Sequence, residues 1–431
     1  MSKQRQETSS PNTAGRRSGR AARIGNAIIT GAADDDPSAI GTYASAGAQF
    51  GLGILWIAPL LLPMMYVVVY ISAKLGQVSG KGLFGVIRDR YPRMVLYPLV
   101  VGAFAGNIIE AAANLGGVGA ALNLLVPLPI TVFVVCVGAI IVSVQVFGSY
   151  FLLRRIFKWL TLALFAYVAA AAMAKPDLME VLHATVFPRV EFTTEFMSIV
   201  VACIGTSLSA YVYTWQSNQE VEDEIALGRK ELFQRKGATD EELSDKRRDV
   251  LTGMVFANII LYSIILSTGV TLHPAGETHI ETAAQAAAAL EPFAGEGAKY
   301  LFALGVVGVG FLAIPVMTTG AAYDLLQAFG KKASLHAKPA DAKLFYGVIA
   351  AVTLIAVILN FLGFSPMRAL VWSGIVQGFS VPPLLLMMLL MTGDRRVMGE
   401  RRNGWLTNFL GWATTTVTFL ALIALAVTWF L

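Results

Sequence analysis

Three acidic residues stand beside a proline in the first apolar stretch of the chain. The run reads Asp34-Asp35-Asp36-Pro37 and follows small and apolar residues. Ionisable side chains inside an apolar membrane segment are costly, so they mark candidate functional sites. Proline removes a backbone donor and disfavours helical geometry at the residue before it. The sequence therefore predicts a helix that breaks near Asp36.

A break at this point would bring several oxygen ligands together. It frees backbone carbonyls such as that of Ala33, next to the carboxylates of Asp35 and Asp36. Secondary transporters build ion sites from discontinuous helices at mid-membrane, and oxygen ligands suit Mg²⁺, Ca²⁺ or Mn²⁺. Adjacent side chains cannot all face one ion, so we expect one or two of the carboxylates to coordinate. The alternative is that the three Asp cap a helix at the membrane surface.

Two further polar residues lie in apolar stretches and are candidate metal ligands. Glu110 stands near Asn107 and is predicted to face a hydrated ion; a relict proton site, or burial against Asn107 without a role in transport, are the alternatives. Gln377 offers an amide carbonyl to the ion or, equally, an interhelical hydrogen bond.

The elements that carry these residues are predicted to be membrane helices. Of the 431 residues, 56% are hydrophobic and 14% charged, against about 25% charged in soluble domains. Apolar runs of about 20 residues match the hydrocarbon core. The sequence predicts an all-α integral membrane protein with about 11 transmembrane helices, at 24–49, 52–73, 95–125, 128–149, 155–174, 194–216, 250–271, 297–329, 342–364, 367–392 and 405–430.

The charges outside these spans predict the orientation. Residues 1–23 are polar and Arg-rich without an apolar signal-peptide core, and are predicted to form a disordered cytoplasmic arm. Nucleic-acid binding is disfavoured, because basic residues beside membrane spans mainly set topology. Alternate loops are basic, whereas the 272–296 loop has no Lys or Arg. We therefore expect a bacterial-type inner-membrane protein with a cytoplasmic N-terminus and an external C-terminus.

Several segments resemble one family of transporters. Asp36-Pro37-Ser38-Ala39 resembles the Asp-Pro-Gly-Asn break in the first helix of the Nramp divalent-metal transporters. Further segments are similar to the second, third and tenth helices of that family: Ser72–Lys81, Ala121–Leu125 and Gln377–Pro382. The resemblance implies the leucine-transporter-like fold, with two inverted five-helix repeats at 24–174 and 194–392, broken helices 1 and 6, and an additional helix at 405–431.

The departures from the family are informative about the ion. Where its sixth helix has a Met-Pro-His motif, this chain has Ser209 or Ala210 at the Met position, and we expect their backbone near the ion. Ala39 replaces the family's Asn. Loss of the thioether weakens discrimination against Mg²⁺, and small side chains leave room for a partly hydrated ion. The pattern resembles the Nramp-related magnesium transporters, which handle Mg²⁺ and Mn²⁺; the alternative is an Nramp protein that carries Mn²⁺ or Fe²⁺.

The proton route of the family is predicted to be absent. Its third-helix Asp and Glu fall on Ala111 and Asn114, and no Arg stands between Leu344 and Phe361. All four histidines fall in predicted loops. We therefore expect uncoupled transport by alternating access, with Asp36 as the main ligand. The membrane potential alone favours entry of a divalent cation by about 4.6 kcal/mol per 100 mV.

Other classes of function are less well supported by the residues. An organic-solute symporter of the same fold is the second alternative, and a membrane sensor would need an effector domain. No enzyme is predicted, because no nucleophile–base pair, phosphate loop or HExxH-type motif stands out. Cys136 and Cys203 lack the spacing of a zinc or disulfide framework. The expected partners are a divalent metal ion and the lipid bilayer, with no resident cofactor and no obligate protein partner.

Overall fold

The regular elements in the described part of the protein are all helices. The computed structural model describes Gly31, residues 34–147 and residues 160–430. The long or site-forming helices are α1 Pro37–Phe50, α2 Ile57–Ser79, α3 Arg93–Asn123, α4 Ile130–Phe147, α5 Phe165–Met173, α6 Leu178–Val186, α7 Thr194–Ser207, α8 Ala210–Ala226, α9 Asp240–Thr271, α10 Ala298–Ala328, α11 Lys343–Leu359, α12 Pro366–Gly393 and α13 Trp405–Thr428. Short helices and turns lie between them, at Gly51–Ile54, Leu83–Arg90, Leu160–Leu164, Leu232–Arg235, Ala283–Ala288, Glu291–Ala294, Gly295–Gly297, Asn360–Leu362 and Arg395–Met398.

These helices confirm the predicted class. Within the described ranges, nine helices are long and apolar enough to cross a membrane, or up to ten if one bent pair forms a single span. Each of the eleven predicted spans contains at least part of a described helix. The predicted N-terminal arm lies outside the described residues.

The structure differs from the predicted spans in three places. The sixth span, predicted to end at 216, continues as α8 to Ala226. The fifth span, predicted as 155–174, bends by 116° between 162–173 and 178–186, so His183 lies in α6 and not in a loop as expected. Helix α9 begins at Asp240, ten residues before the predicted span, where Thr239 and Glu242 form a capping box. Hydropathy marks only the apolar part of a helix, so a polar extension with its own cap is missed.

Close helix packing brings the two chain breaks together. Helix α3 packs against α10 and α12, while α7 packs against α1 and α12. A Cβ atom on Gly205 would lie 1.9 Å from the carbonyl oxygen of Gly374, so only glycine allows α7 and α12 to approach this closely. The division into inverted repeats and the orientation in the membrane stay predictions.

Candidate metal site

The first break lies at Asp36, deep inside the protein. Gly31 and Asp34 are helical, and the Asp35 N–H donates to the Gly31 carbonyl at 3.3 Å. The chain then leaves helical geometry at Asp36, which is the N-cap of α1 with φ −68° and ψ 173°. Asp36 is fully buried. It is thus a helix cap, as the alternative interpretation proposed, but not at a surface.

Four donors surround the Asp36 carboxylate. Oδ1 accepts from the Ala39 N–H at 2.7 Å and from the Ser38 hydroxyl at 2.6 Å. Oδ2 accepts from Asn114 Nδ2 at 3.0 Å and from the Tyr211 hydroxyl at 3.1 Å. All four donors are neutral, so the carboxylate has no cationic side chain to balance it among these contacts. A cation that binds Oδ2 would displace one or both of its donors.

The second break lies between α7 and α8, at Leu208 and Ser209. The Ser209 hydroxyl lies 3.0 Å from both the Gly205 and the Thr206 carbonyl oxygens. Helix α7 therefore directs its carbonyl-rich C-terminal end toward the first break, and this end of a helix dipole favours a cation. The Thr206 hydroxyl lies 3.1 Å from that of Ser38, which joins the two breaks directly.

Glu110 links the broken helices to α12. Its Oε1 accepts from the Ser209 hydroxyl at 2.8 Å, and its Oε2 accepts from Gln377 Nε2 at 2.6 Å. The Gln377 carbonyl oxygen in turn lies 3.4 Å from the Ala210 N–H. The structure does not pair Glu110 with Asn107, which donates instead to Asp324. Two buried carboxylates, Asp36 and Glu110, therefore share one hydrogen-bonded network, and Ser38 contacts both.

The structure brings together five of the predicted site residues: Asp36, Glu110, Ser209, Ala210 and Gln377. Asp35 is buried, yet one of its carboxylate oxygens has no hydrogen-bond partner in the described part of the chain. Ala33 lies outside the described residues. Metal binding by any of these residues stays a prediction.

Five residues that contact this network were not predicted as ligands: Ser38, Asn114, Thr206, Tyr211 and Met317. Asn114 carried a signal, because it lies four residues after Glu110 and so shares its helix face. Met317 carried none that separates it from a core residue. Its sulfur lies 3.2 Å from Asn114 Nδ2, so a thioether stands next to the amide that contacts Asp36.

Most of the possible metal ligands in this network are oxygen atoms, and few of them belong to charged side chains. In the described ranges, no group of three or more His, Cys, Asp or Glu side chains could hold a metal ion. The network contains carboxylates, hydroxyls, amides and the backbone carbonyls at the end of α7, and oxygen groups of these kinds are ligands for hard cations. Such a set suits an ion that keeps part of its water shell.

These features define a class of membrane protein. Two interrupted helices meet at a buried polar network inside an all-helical, apolar framework, which is the leucine-transporter-like architecture of secondary transporters. The chain belongs to the Nramp family: the family model described as natural resistance-associated macrophage protein-like matches residues 27–428. The predicted family is thereby confirmed, whereas its magnesium-type branch stays a prediction.

Similar proteins agree with this assignment. The chain is 28% identical over 399 residues to the divalent metal cation transporter MntH of Aeromonas hydrophila subsp. hydrophila, covering 90% of this chain and 91% of that protein. A manganese transporter of Eremococcus coleocola, solved with an aromatic bis-isothiourea substituted compound, has a TM-score of 0.74 at 16% identity and covers 97% of this chain and 89% of its own. The inward-facing Mhp1 structure has a TM-score of 0.51 at 14% identity, and the match covers 93% of this chain and 90% of the Mhp1 chain. At these identities the solved structures show the fold alone.

Proposed function

We propose that this protein is a secondary transporter of divalent metal ions, Mg²⁺ and Mn²⁺, that works by alternating access without proton coupling. The observation that carries the proposal is the Asp36 carboxylate at a buried helix break, joined through Ser38 to Glu110. The names of the similar proteins, a divalent metal cation transporter and a manganese transporter, support the substrate class.

Charge balance favours a divalent ion over a neutral organic solute. Asp36 and Glu110 are fully buried, and their hydrogen-bond donors are all neutral. Two ionised carboxylates inside a membrane are costly without a cation. A bound M²⁺ ion would balance both charges, which an amino acid or another neutral solute would not do.

The ligand types favour a hard ion. Around Asp36 and Glu110 the side chains carry hydroxyl and amide groups, and the Gly205 and Thr206 carbonyl oxygens at the end of α7 are contacted by the Ser209 hydroxyl. Mg²⁺ gives up its waters reluctantly and is usually bound partly hydrated. The small side chains of Ser209 and Ala210 leave space for those waters. We therefore propose that the protein contacts the ion largely through its water shell.

A proton-coupled Mn²⁺ or Fe²⁺ transporter is the second candidate. The Met317 sulfur, 3.2 Å from Asn114, is the observation that favours it. A thioether is a soft ligand that selects transition metals against Mg²⁺. The Met317 sulfur and Asp36 Oδ2 both contact Asn114 Nδ2, so rotation of this amide when the ion binds would leave both atoms facing the space it vacates.

Flux into proteoliposomes with an internal pH probe tests the proposal. Uptake of Mg²⁺ and Mn²⁺ without a metal-dependent change of internal pH is expected, and Asp36→Ala should abolish it while Glu296→Gln, an exposed control, should not. Metal-dependent acidification of the lumen would establish coupling, and normal flux through Asp36→Ala would remove the proposed site.

A further inference from the structure

A third buried acid, Asp324, lies outside the network around Asp36. It stands in α10 and is fully buried. Its Oδ2 accepts one long hydrogen bond, 3.4 Å from Asn107 Nδ2, and its Oδ1 has no partner in the described part of the chain. None of the ion pairs found among the described residues includes it. A buried carboxylate with so few partners calls for a cation, a proton or water.

Other oxygens around Asp324 also lack partners. Asn107 Oδ1 and the Tyr213 hydroxyl are buried and make no hydrogen bond to a described residue. The Thr214 hydroxyl lies beside the Asp324 carboxylate. Buried polar atoms are rarely left unpaired, so several at one place point to an occupant. The available ligands are a carboxylate, an amide carbonyl and two hydroxyls, all of them hard oxygen donors.

There is room for such an occupant beside Gly320. This glycine is buried one helical turn before Asp324. A Cβ atom added to it would have one neighbour within 4 Å outside its own helix backbone, the Thr214 hydroxyl oxygen at 3.9 Å. The missing side chain therefore leaves space next to Thr214 and close to Asp324.

The space beside Gly320 and the central site lie along the same face of helix α3. Asn107, Glu110 and Asn114 are spaced by three and four residues, so they share one face of α3. Asn107 contacts Asp324, and Asn114 contacts Met317 seven residues earlier in α10. The two contacts are thus about 10 Å apart along the helices. Asp324 lies toward the end with the basic loops, which is predicted to be cytoplasmic.

We propose that Asp324, Asn107, Tyr213 and Thr214 form a second site for a partly hydrated divalent cation, between the central network and the basic end of the protein. The inference rests on the proposed function, because it makes this site a stage on the inward path of the same ion. Tyr213 lies in the neighbourhood of both Glu110 and Asp324.

Equilibrium binding of Mn²⁺ to the full chain in nanodiscs, followed by the electron paramagnetic resonance signal of free Mn²⁺, tests the second site. Asp36→Ala should retain weak Mn²⁺ binding. The double variant Asp36→Ala/Asp324→Asn should lose this remaining binding. Gly320→Ala, which fits the space at ordinary contact distance, should weaken it while leaving Asp324 in place. Asp341→Asn, an exposed acid in a loop, is the matched control. Residual binding that is insensitive to both Asp324→Asn and Gly320→Ala would overturn the proposal.

Flux measurements separate this inference from the proposed function. For Asp324→Asn we expect a tenfold or greater fall in maximal Mn²⁺ flux, with the Mn²⁺ concentration for half-maximal flux changed less than threefold. If the wild-type protein carries Mn²⁺ and Asp324→Asn matches it in flux and binding, the second site is wrong and transport stands. If wild-type protein carries no metal yet binds Mn²⁺ in an Asp324-dependent manner, the second site stands and the proposed function is wrong.

Discussion

The Oε2 atom of Glu110 accepts a hydrogen bond of 2.6 Å from Nε2 of Gln377, with both side chains fully buried. These residues lie on α3 and α12, 267 positions apart in the chain. One member is an acid and the other its uncharged amide analogue, so their contact allows the charge and the hydrogen bond to be tested separately.

Glu110→Gln should weaken metal transport because it removes a negative charge from the network while keeping the side-chain shape. We expect a tenfold rise in the Mn²⁺ concentration for half-maximal flux, equivalent to about 1.4 kcal/mol. The swapped variant Glu110→Gln/Gln377→Glu restores one acid and one amide at the same contact and should recover part of the loss. Flux through both variants in proteoliposomes measures this. A swap no better than the single variant would mean that the position of the charge matters more than its presence.

Tyr211→Phe should strengthen metal binding. The Tyr211 hydroxyl donates to Asp36 Oδ2 at 3.1 Å, so it competes with any ion that binds this oxygen. Removing one hydrogen bond to an ionised carboxylate, worth about 1.5–3 kcal/mol, should lower the Mn²⁺ dissociation constant about tenfold or more. Calorimetric titration of wild-type and variant protein checks the direction. A higher dissociation constant would show that the hydroxyl is itself a ligand.

Met317→Leu should leave both metals largely unaffected if oxygen ligands dominate. Leucine has a similar volume, so packing is preserved to within about 1.5 kcal/mol, and only the sulfur near Asn114 is lost. We expect Mg²⁺ and Mn²⁺ flux within twofold of wild type. A selective tenfold loss of Mn²⁺ flux, with Mg²⁺ flux retained, would instead favour the transition-metal candidate.

The sequence reveals the helices and part of the site for a physical reason. Apolar runs and the Asp36-Pro37 break are local signals, and buried polar residues such as Glu110 and Gln377 are conspicuous because membranes penalise them. Contacts such as that between Tyr211 and Asp36, 175 positions apart, depend on helix rotation and on which helices pack together, which local patterns do not specify. Asp324 carried the same signal as Glu110, an acid within an apolar span, and was nevertheless absent from the predicted ligands.

Glu220→Ala should destabilise the protein more than the loss of a surface ion pair. Glu220 Oε1 lies 2.7 Å from Lys246 Nζ, and the side chains are only 3% and 13% exposed. Removing Glu220 deprives the mostly buried Lys246 ammonium of its hydrogen-bonded counter-ion, and breaking a buried pair costs about 3–5 kcal/mol. The control is Asp89→Asn in the exposed Lys81–Asp89 pair, with an expected cost of about 0–1 kcal/mol. Thermal unfolding in detergent compares them, and equal midpoints for the two variants would contradict the prediction.

Leu370→Ala should open the central site on the side away from the basic loops. The Leu370 side chain is 2% exposed. A Cβ atom added to Gly41 would lie 2.8 Å from it, and one added to Gly117 would lie 3.2 Å from it. Ser45, Met367 and Val371 line a cavity of about 360 Å³, and both Leu370 and Pro37 lie within 3.3 Å of a Cβ atom built on Gly117. We therefore expect the Leu370 side chain to separate this cavity from the region of Pro37. Replacing it by alanine removes the barrier without adding charge or bulk.

Cysteine labelling measures that opening. In a background without Cys136 and Cys203, Ala39→Cys places a thiol next to the Asp36 cap, and its reaction with a membrane-impermeant reagent reports access. Leu370→Ala should raise the labelling rate tenfold or more, Leu370→Ile should leave it nearly unchanged because the volume is kept, and Mn²⁺ should slow labelling by occupying the site. Unchanged labelling in Leu370→Ala would show that other groups close this side. In that case the close contact of Leu370 with α1 and α3 would serve packing, and access to Asp36 would require movement of the helices themselves.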